Sequence, residues 1–211
     1  MKVDTGSIAF ASPVRASQKE ATRQRVLAAA RNLFNVQGYE GTTIRDIARD
    51  AGVAAGTVFT SFASKGEILS EVMDARSKFL SGELDRVLPH LRGSTLNRLQ
   101  TMFGAHIQFE MQHPRLFLAH IAAAYDLAQT PGVRPFGQNA QLRSVLYDCL
   151  AKGVEDGDIA ADANLDEIVA LLLAVQAWTF RMATEGSDAR SMIAAMDRRI
   201  ALIVDGIRPR S

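Results

Sequence analysis

The chain has 211 residues, 47% of them hydrophobic and 22% charged, which suffices for one large or two small cores. Its single cysteine, Cys149, excludes an internal disulfide and a cysteine metal site and fits a reducing cytoplasm, and the N-terminus lacks the long apolar core of a signal peptide. The net charge of +1 names no partner, but residues 1–66 carry nine Lys/Arg against five Asp/Glu, so the N-terminal third is basic while the remainder is acidic on balance.

Residues 1–16 hold Gly6, Ser7, Ser12 and Pro13 without periodicity and read as a disordered tail. Ser17 and Glu20 form a capping box for a first helix. Its Val26, Leu27, Ala30, Leu33 and Phe34 share one face, and Gly38 ends it. Thr43, three residues before Asp46, opens a second helix with Ile44, Ile47, Ala48 and Ala51 inward, and Gly52 supplies a left-handed closing residue. Val53 leads into a third, short helix with Val58 and Phe62 inward, behind Ala54, a poor N-cap. Ser64 and Glu67 cap a long fourth helix. Ile68, Leu69, Val72, Met73, Ala75, Phe79, Leu84, Val87 and Leu88 make its stripe, and Pro89 stops it.

Gly93 and Ser94 begin a fifth helix lined by Leu96, Leu99, Met102, Phe103, His106, Ile107 and Phe109 and broken at His113-Pro114. Pro114 suits the first turn of a sixth helix reaching about residue 128. Residues 130–137, with two prolines and two glycines, read as a loop before a seventh helix over about 138–156. Residues 165–184 are apolar on nearly all sides, the pattern of a helix buried all round, for which a partner subunit is a natural second surface. The most apolar run there, 168–180, contains Gln176 and is too short to span a bilayer. Gly186 ends that helix, and Ser187 opens the last, with Met192, Ile193, Met196, Ile200, Ile203, Val204 and Ile207 on one face. No strand pattern or internal repeat occurs. The expected fold is all-α with about nine helices, a three-helix unit over 17–63 and a larger helical unit over 64–211.

Helix, tight glycine-containing turn, helix over residues 42–62 is the helix-turn-helix pattern, whose second helix would offer Ala55, Gly56, Thr57 and Thr60 to a major groove. The ordered segments Thr-Ile-Arg-Asp-Ile-Ala, Ala-Gly-Val, Gly-Thr-Val-Phe and Phe-Ala-Ser-Lys-Gly-Glu-Ile-Leu resemble the DNA-binding domain of the TetR family of transcriptional repressors, over roughly residues 19–69. Beyond them the chain is similar to that family only in helical architecture and length.

A helix in the groove needs phosphate contacts to hold it and base contacts to read sequence. Thr43 has a hydroxyl at a helix N-terminus, Arg45 lies in a first turn, and Lys65 opens the fourth helix, all suited to phosphate. The resemblance implies DNA contacts at Thr43, Arg45, Ala55, Gly56, Thr57, Phe59, Thr60 and Lys65, and Ser61 completes the polar set of the recognition helix. The chain departs from the family where a tyrosine is common at Phe59, a polar residue at Ala55 and an aromatic or histidine at Ser61. Readout therefore leans on thymine methyls, shape and backbone.

The resemblance further implies an inducer pocket in the fourth to eighth helices. Met102, Phe103, His106, Phe117, His120, Tyr147 and Trp178 are its candidates, although each taken singly reads as ordinary core. It also implies a homodimer in which the last two helices of two subunits form a four-helix bundle, with Leu172, Val175, Thr179, Met192, Met196, Ile200 and Ile203 at the interface. The expected partners are thus double-stranded DNA, a small hydrophobic effector and a second copy, with no cofactor, metal or membrane. His106, His113 and His120 recur at intervals of seven, but Pro114 separates their helices, and Asp156, Asp158 and Asp162 read as a solvated acidic turn. No phosphate loop, nucleophile elbow or carboxylate pair suggests an enzyme. Two other readings stay open: a helical small-molecule-binding protein that no longer binds DNA, and a constitutive DNA-binding protein with a solid core.

Overall fold

Nine α-helices account for nearly all regular structure among the described residues: α1 (Pro13–Val36), α2 (Ile44–Asp50), α3 (Ala55–Ser61), α4 (Lys65–Val87), α5 (Thr95–Glu110), α6 (Pro114–Ala124), α7 (Ala140–Glu155), α8 (Leu165–Arg181) and α9 (Ala189–Gly206). The computed structural model describes residues 13–87, 90–124, 132 and 140–209, with side chains from residue 17 onward. Most of the sequence-derived tail, the residues 88–89 expected to end α4, and all of the 130–137 loop except Gly132 lie outside that set.

Helix α1 starts at Pro13, not at Ser17, so Ser17 and Glu20 stand inside a helix and form no capping box. Proline is well placed at a first helical position, where its missing N–H has no intrahelical acceptor to satisfy. Val26, Ala30 and Phe34 of α1, Ile47 and Ala48 of α2, and Val58 and Phe62 around α3 are buried together, closing the three-helix unit on the start of α4. Gly52 takes φ +64° and Gly38 φ +81°, as the two turns require.

Helix α4 belongs to both units, packing on α1 at its start and on α6 and α7 further along. Its buried line runs through Leu69, Val72, Met73, Arg76, Leu80 and Leu84. Phe79 and Val87, expected on that stripe, are 60% and 48% exposed, and Ala75 is exposed too. The reason is geometric: steps of three and four from Leu69 lead to 73, 76, 80 and 84, and Phe79 falls one position off that line.

In the larger unit, α5 packs chiefly on α9, and α8 on α9 and α7. Asp158 accepts hydrogen bonds from the Thr95 N–H and hydroxyl, 2.6 and 3.0 Å, and so caps α5 from the α7–α8 turn. Asp156 pairs with the buried Arg98 and with Lys152. The Asp156–Asp158 turn is therefore a structural clasp, not a merely solvated one. Gly153 lies under it, where an added Cβ would stand 2.4 Å from the Thr95 hydroxyl oxygen.

Helix α8 is not buried all round. Leu172, Leu173, Gln176, Thr179 and Phe180 face the core, while Leu171 and Trp178 are 49% and 60% exposed. Continued by the 3₁₀ turn Met182–Glu185, the stretch Leu165–Glu185 reaches 21 residues, long and apolar enough on those grounds alone to cross a membrane. The shorter run visible in the sequence understates it. Its inward face, holding the polar Gln176 and Thr179, packs on α9 as the core helix of a globular unit does.

Candidate nucleic-acid interface

Helix α2 begins at a complete capping box: the Thr43 hydroxyl accepts from the Asp46 N–H at 3.1 Å, and the Asp46 carboxylate accepts from the Thr43 N–H at 3.1 Å. The Thr43 hydroxyl also donates to that carboxylate at 2.6 Å. Bonds from the Thr43 hydroxyl first, and its N–H second, hold the Asp46 carboxyl below its usual range. Thr43 thus serves the helix with both of its polar groups, while remaining exposed. Arg45, in the first turn, is exposed and makes no hydrogen bond or ion pair among the described residues.

Helix α3 starts without a side-chain cap at Ala54, as expected. Its Val58 is buried, and Gly56, Phe59 and Thr60 are exposed, with Ala55, Thr57 and Ser61 half-buried beside them. Phe59 is 59% exposed, an apolar ring on the outer face of a seven-residue helix. A Cβ added at Gly56 would meet nothing within 4 Å, so no contact within the chain calls for glycine there. The Thr60 hydroxyl donates to the Thr57 carbonyl at 2.8 Å, which leaves its oxygen free to accept.

Lys65 departs from the expected free phosphate cation. Its ammonium donates to the carbonyls of Tyr39 and Thr42 at 2.9 and 3.1 Å and lies 4.1 Å from the centre of the Tyr39 ring. It ties the start of α4 to the turn before α2. Arg23, which the sequence pattern does not single out, does the same for α3. It donates to the Ser61 carbonyl at 2.7 Å, pairs with Glu71 of α4, and sits 4.3 Å over the Phe62 ring. At α4, the Ser64 hydroxyl caps the Glu67 N–H at 3.0 Å, while the Glu67 carboxylate reaches back to the Ala63 N–H.

Two short helices held at a fixed angle, the second presenting Gly56, Phe59 and Thr60 and flanked by an unpaired Arg45, form a surface for a groove and its phosphates. A profile described as bacterial regulatory proteins, tetR family, matches residues 26–72. The repressor KstR2 of Mycolicibacterium smegmatis is 30% identical over 158 residues, 74% of this chain and 76% of that protein. The chain belongs to the TetR family of transcriptional regulators. The regulator SrpR of Pseudomonas putida is 43% identical over 70 residues, 33% of this chain and 32% of that one. Among solved structures, KstR2 of Mycobacterium tuberculosis, a ketosteroid transcriptional regulator, is 25% identical with a TM-score of 0.57, covering 89% of this chain and 95% of that one. The Thermus thermophilus repressor FadR, solved with lauroyl-CoA, has a TM-score of 0.73 at 22% identity, covering 90% and 96%. Family membership makes this chain a helix-turn-helix repressor that binds DNA.

The larger helical unit of this TetR-family chain divides the candidate pocket residues. Met102, Phe103, His106 and Phe117 are buried, His120 is half-buried, and Tyr147 and Trp178 are 41% and 60% exposed and lie outside any interior site. His106 meets the rings of Phe117 and Phe180 at 6.4 and 5.7 Å, and its Nδ1 is 2.8 Å from Gln176 Nε2. With the Gln176 amide donating, Nδ1 is the acceptor and the ring proton sits on Nε2, toward Glu110 Oε1 at 3.8 Å. Burial above all, then Arg76, pushes the His106 pKa down to about 4, so the ring is neutral at pH 7. Glu110 pairs with Arg76 at 3.0 Å, yet burial outweighs that partner and raises its pKa. Sequence periodicity marks His106 but gives no sign of Arg76, Glu110 or Gln176. No three His, Cys, Asp or Glu side chains converge on a metal position among the described residues.

The dimer candidates need correction. Leu172, Thr179, Met192, Met196 and Ile200 are each 0% exposed within one chain and fill the seam of α8 against α9. Only Val175 and Ile203 are partly open. The apolar side chains that reach outward from these two helices are Leu171, Trp178 and Leu202, the last 74% exposed.

Proposed function

We propose that the protein acts as a cytoplasmic homodimer that places two copies of α3 in successive major grooves of a palindromic operator and leaves it when a small apolar effector binds between α5, α6 and α8. The observation that carries this reading is α3 itself: an exposed Gly56, Phe59 and Thr60 on a helix clamped by Arg23, beside a free Arg45. Glycine lets the backbone approach the duplex, and Phe59 and Thr60 suit thymine methyls. Thr43, Ala55, Thr57 and Ser61 complete the proposed contact set. Leu171, Trp178 and Leu202 supply the subunit interface, since a monomer would leave three large apolar side chains in water.

The effector reading rests on the cluster of His106, Phe117, Phe180 and Gln176. Gln176 is fully buried, and its Oε1 has no hydrogen-bond partner among the described residues. An apolar molecule with one hydroxyl or amide donor would satisfy it. The ketosteroid regulator and the lauroyl-CoA complex among the similar proteins support an effector with a large apolar part. Its relatives are transcriptional regulators, and no catalytic role is assigned to any residue.

Fluorescence anisotropy with duplexes covering the DNA flanking its own gene tests the reading. One duplex bound as a dimer, at a salt where scrambled DNA is not, supports it; equal affinity for all duplexes overturns it. A thermal-shift screen with sterols, fatty acids and small phenols then separates an effector-responsive repressor from a constitutive one.

A further inference from the structure

We propose that the cleft between α1 and the α4–α5 pair is a second ligand site, taking a small amphipathic anion: an apolar body bearing one carboxylate. The cleft has a volume of about 460 Å³, within the range of small-molecule sites. Its lining does not include Gln176, although Arg76 connects it through Glu110 to His106 of the interior cluster.

One side is an aromatic shelf. Phe79 stacks on Phe109 with ring centres 5.9 Å apart and planes at 24°, and the Arg76 guanidinium lies 4.5 Å over the Phe109 ring. Leu27, Ala28 and Ala75 leave room above it. Phe79 is 60% exposed, an apolar surface on which a ligand ring or short aliphatic chain gains by burial.

The polar side is one-signed. Arg31, Arg76 and His113 line the cleft, and no carboxylate does. Arg31 makes no hydrogen bond or ion pair among the described residues. Arg76 is 8% exposed, and although its Nη2 serves both Glu110 and the Phe109 carbonyl, its buried Nε–H has no acceptor. Burial first, then Arg76 and Arg31, lowers the His113 pKa, so both guanidiniums are felt at this point. A carboxylate would pair with Arg31, beside the guanidinium of Arg76. A cation would be repelled, and a neutral ligand would leave Arg31 as it is.

Helix α1 belongs to the DNA-binding unit and α5 to the effector domain, so a ligand held between them favours one setting of the two. That coupling rests on the repressor reading; the binding itself does not. The test uses the full chain and 4-phenylbutyrate, followed by calorimetry, against the uncharged 4-phenylbutanamide. The acid binds and the amide binds at least about tenfold more weakly. Arg31→Gln weakens the acid by about fivefold or more. Ala75→Phe and Ala28→Phe, both at exposed positions that tolerate bulk without unfolding the chain, each abolish binding. Equal affinity for acid and amide, acid binding indifferent to both phenylalanine variants, or no binding of the acid up to about 10 mM overturns the site. Because no DNA is present, failure of the repressor reading leaves this measurement intact.

Discussion

Lys65 holds its ammonium 2.9 Å from the Tyr39 carbonyl oxygen and 4.1 Å from the centre of the Tyr39 ring. One side chain thereby fixes the start of the inter-domain helix to the turn that delivers α2. Helix α2 in turn positions α3, so the angle of the recognition helix depends on this contact and on Arg23 across the other side.

Lys65 and Arg45 should therefore separate in the test tube. Lys65→Ala removes two charge-assisted hydrogen bonds and a ring contact, lowering stability by about 1–3 kcal/mol in urea or thermal melts. Arg45→Ala, at an exposed and unpaired position, changes stability by no more than about 0.5 kcal/mol. On operator DNA both weaken binding. Only Arg45→Ala flattens the dependence of log affinity on log salt, by about one for each phosphate it no longer neutralises. A full-strength slope in Arg45→Ala would remove its phosphate role; an unchanged melting temperature in Lys65→Ala would remove the clasp.

Gly56 offers a cleaner separation of fold from function. It sits in a helix without a positive φ, and a Cβ there would meet nothing within 4 Å. Gly56→Ala should leave the free protein as stable or more stable, by up to about 1 kcal/mol from helix propensity. Close backbone approach to the duplex is then blocked by one methyl group, and affinity should fall by about tenfold or more. Wild-type affinity in a well-folded Gly56→Ala protein would place the DNA surface elsewhere.

Local chemistry is easy to read in the sequence, and distant pairing is not. The box of Thr43 and Asp46, the glycine turns and the inward Val58 and Phe62 follow from residues a few positions apart. Arg23, Arg76 and Arg98 are different. Their partners, Ser61 and Glu71, Glu110, and Asp156, stand 34 to 58 positions away, and a lone arginine on a helix reads as solvated. Asp158 reads as solvated for the same reason, its partner Thr95 being 63 residues distant. The expected dimer set fails in another way: the most apolar stripe of α9 is the one the chain buries against its own α5 and α8.

That difference predicts opposite outcomes for two classes of substitution. Trp178→Glu combined with Leu202→Glu alters exposed positions, and should shift the protein from dimer to monomer by light scattering while helix content is kept. Leu172→Ala and Met196→Ala open cavities at positions that are 0% exposed, and should lower stability by about 2–5 kcal/mol in each subunit. A dimer unaffected by the double charge substitution would rule out this face as the interface.

The buried His106 makes the larger helical unit sensitive to acid. Its pKa is about 4 in the folded chain against 6.5 for a free side chain. As pH falls from about 6.5 to 4, the unfolded chain takes up the proton first, and stability drops through that window, by up to about 3 kcal/mol from this residue. Glu110 acts in the opposite sense. Burial raises its pKa, so the folded state binds its proton more readily and part of the loss is offset. The wild type should thus be clearly less stable to urea at about pH 4.5 than at about pH 7. His106→Asn retains a polar partner for the Gln176 amide and should flatten this dependence, even where it lowers stability at neutral pH. An equally steep acid response in His106→Asn would assign the effect to other groups.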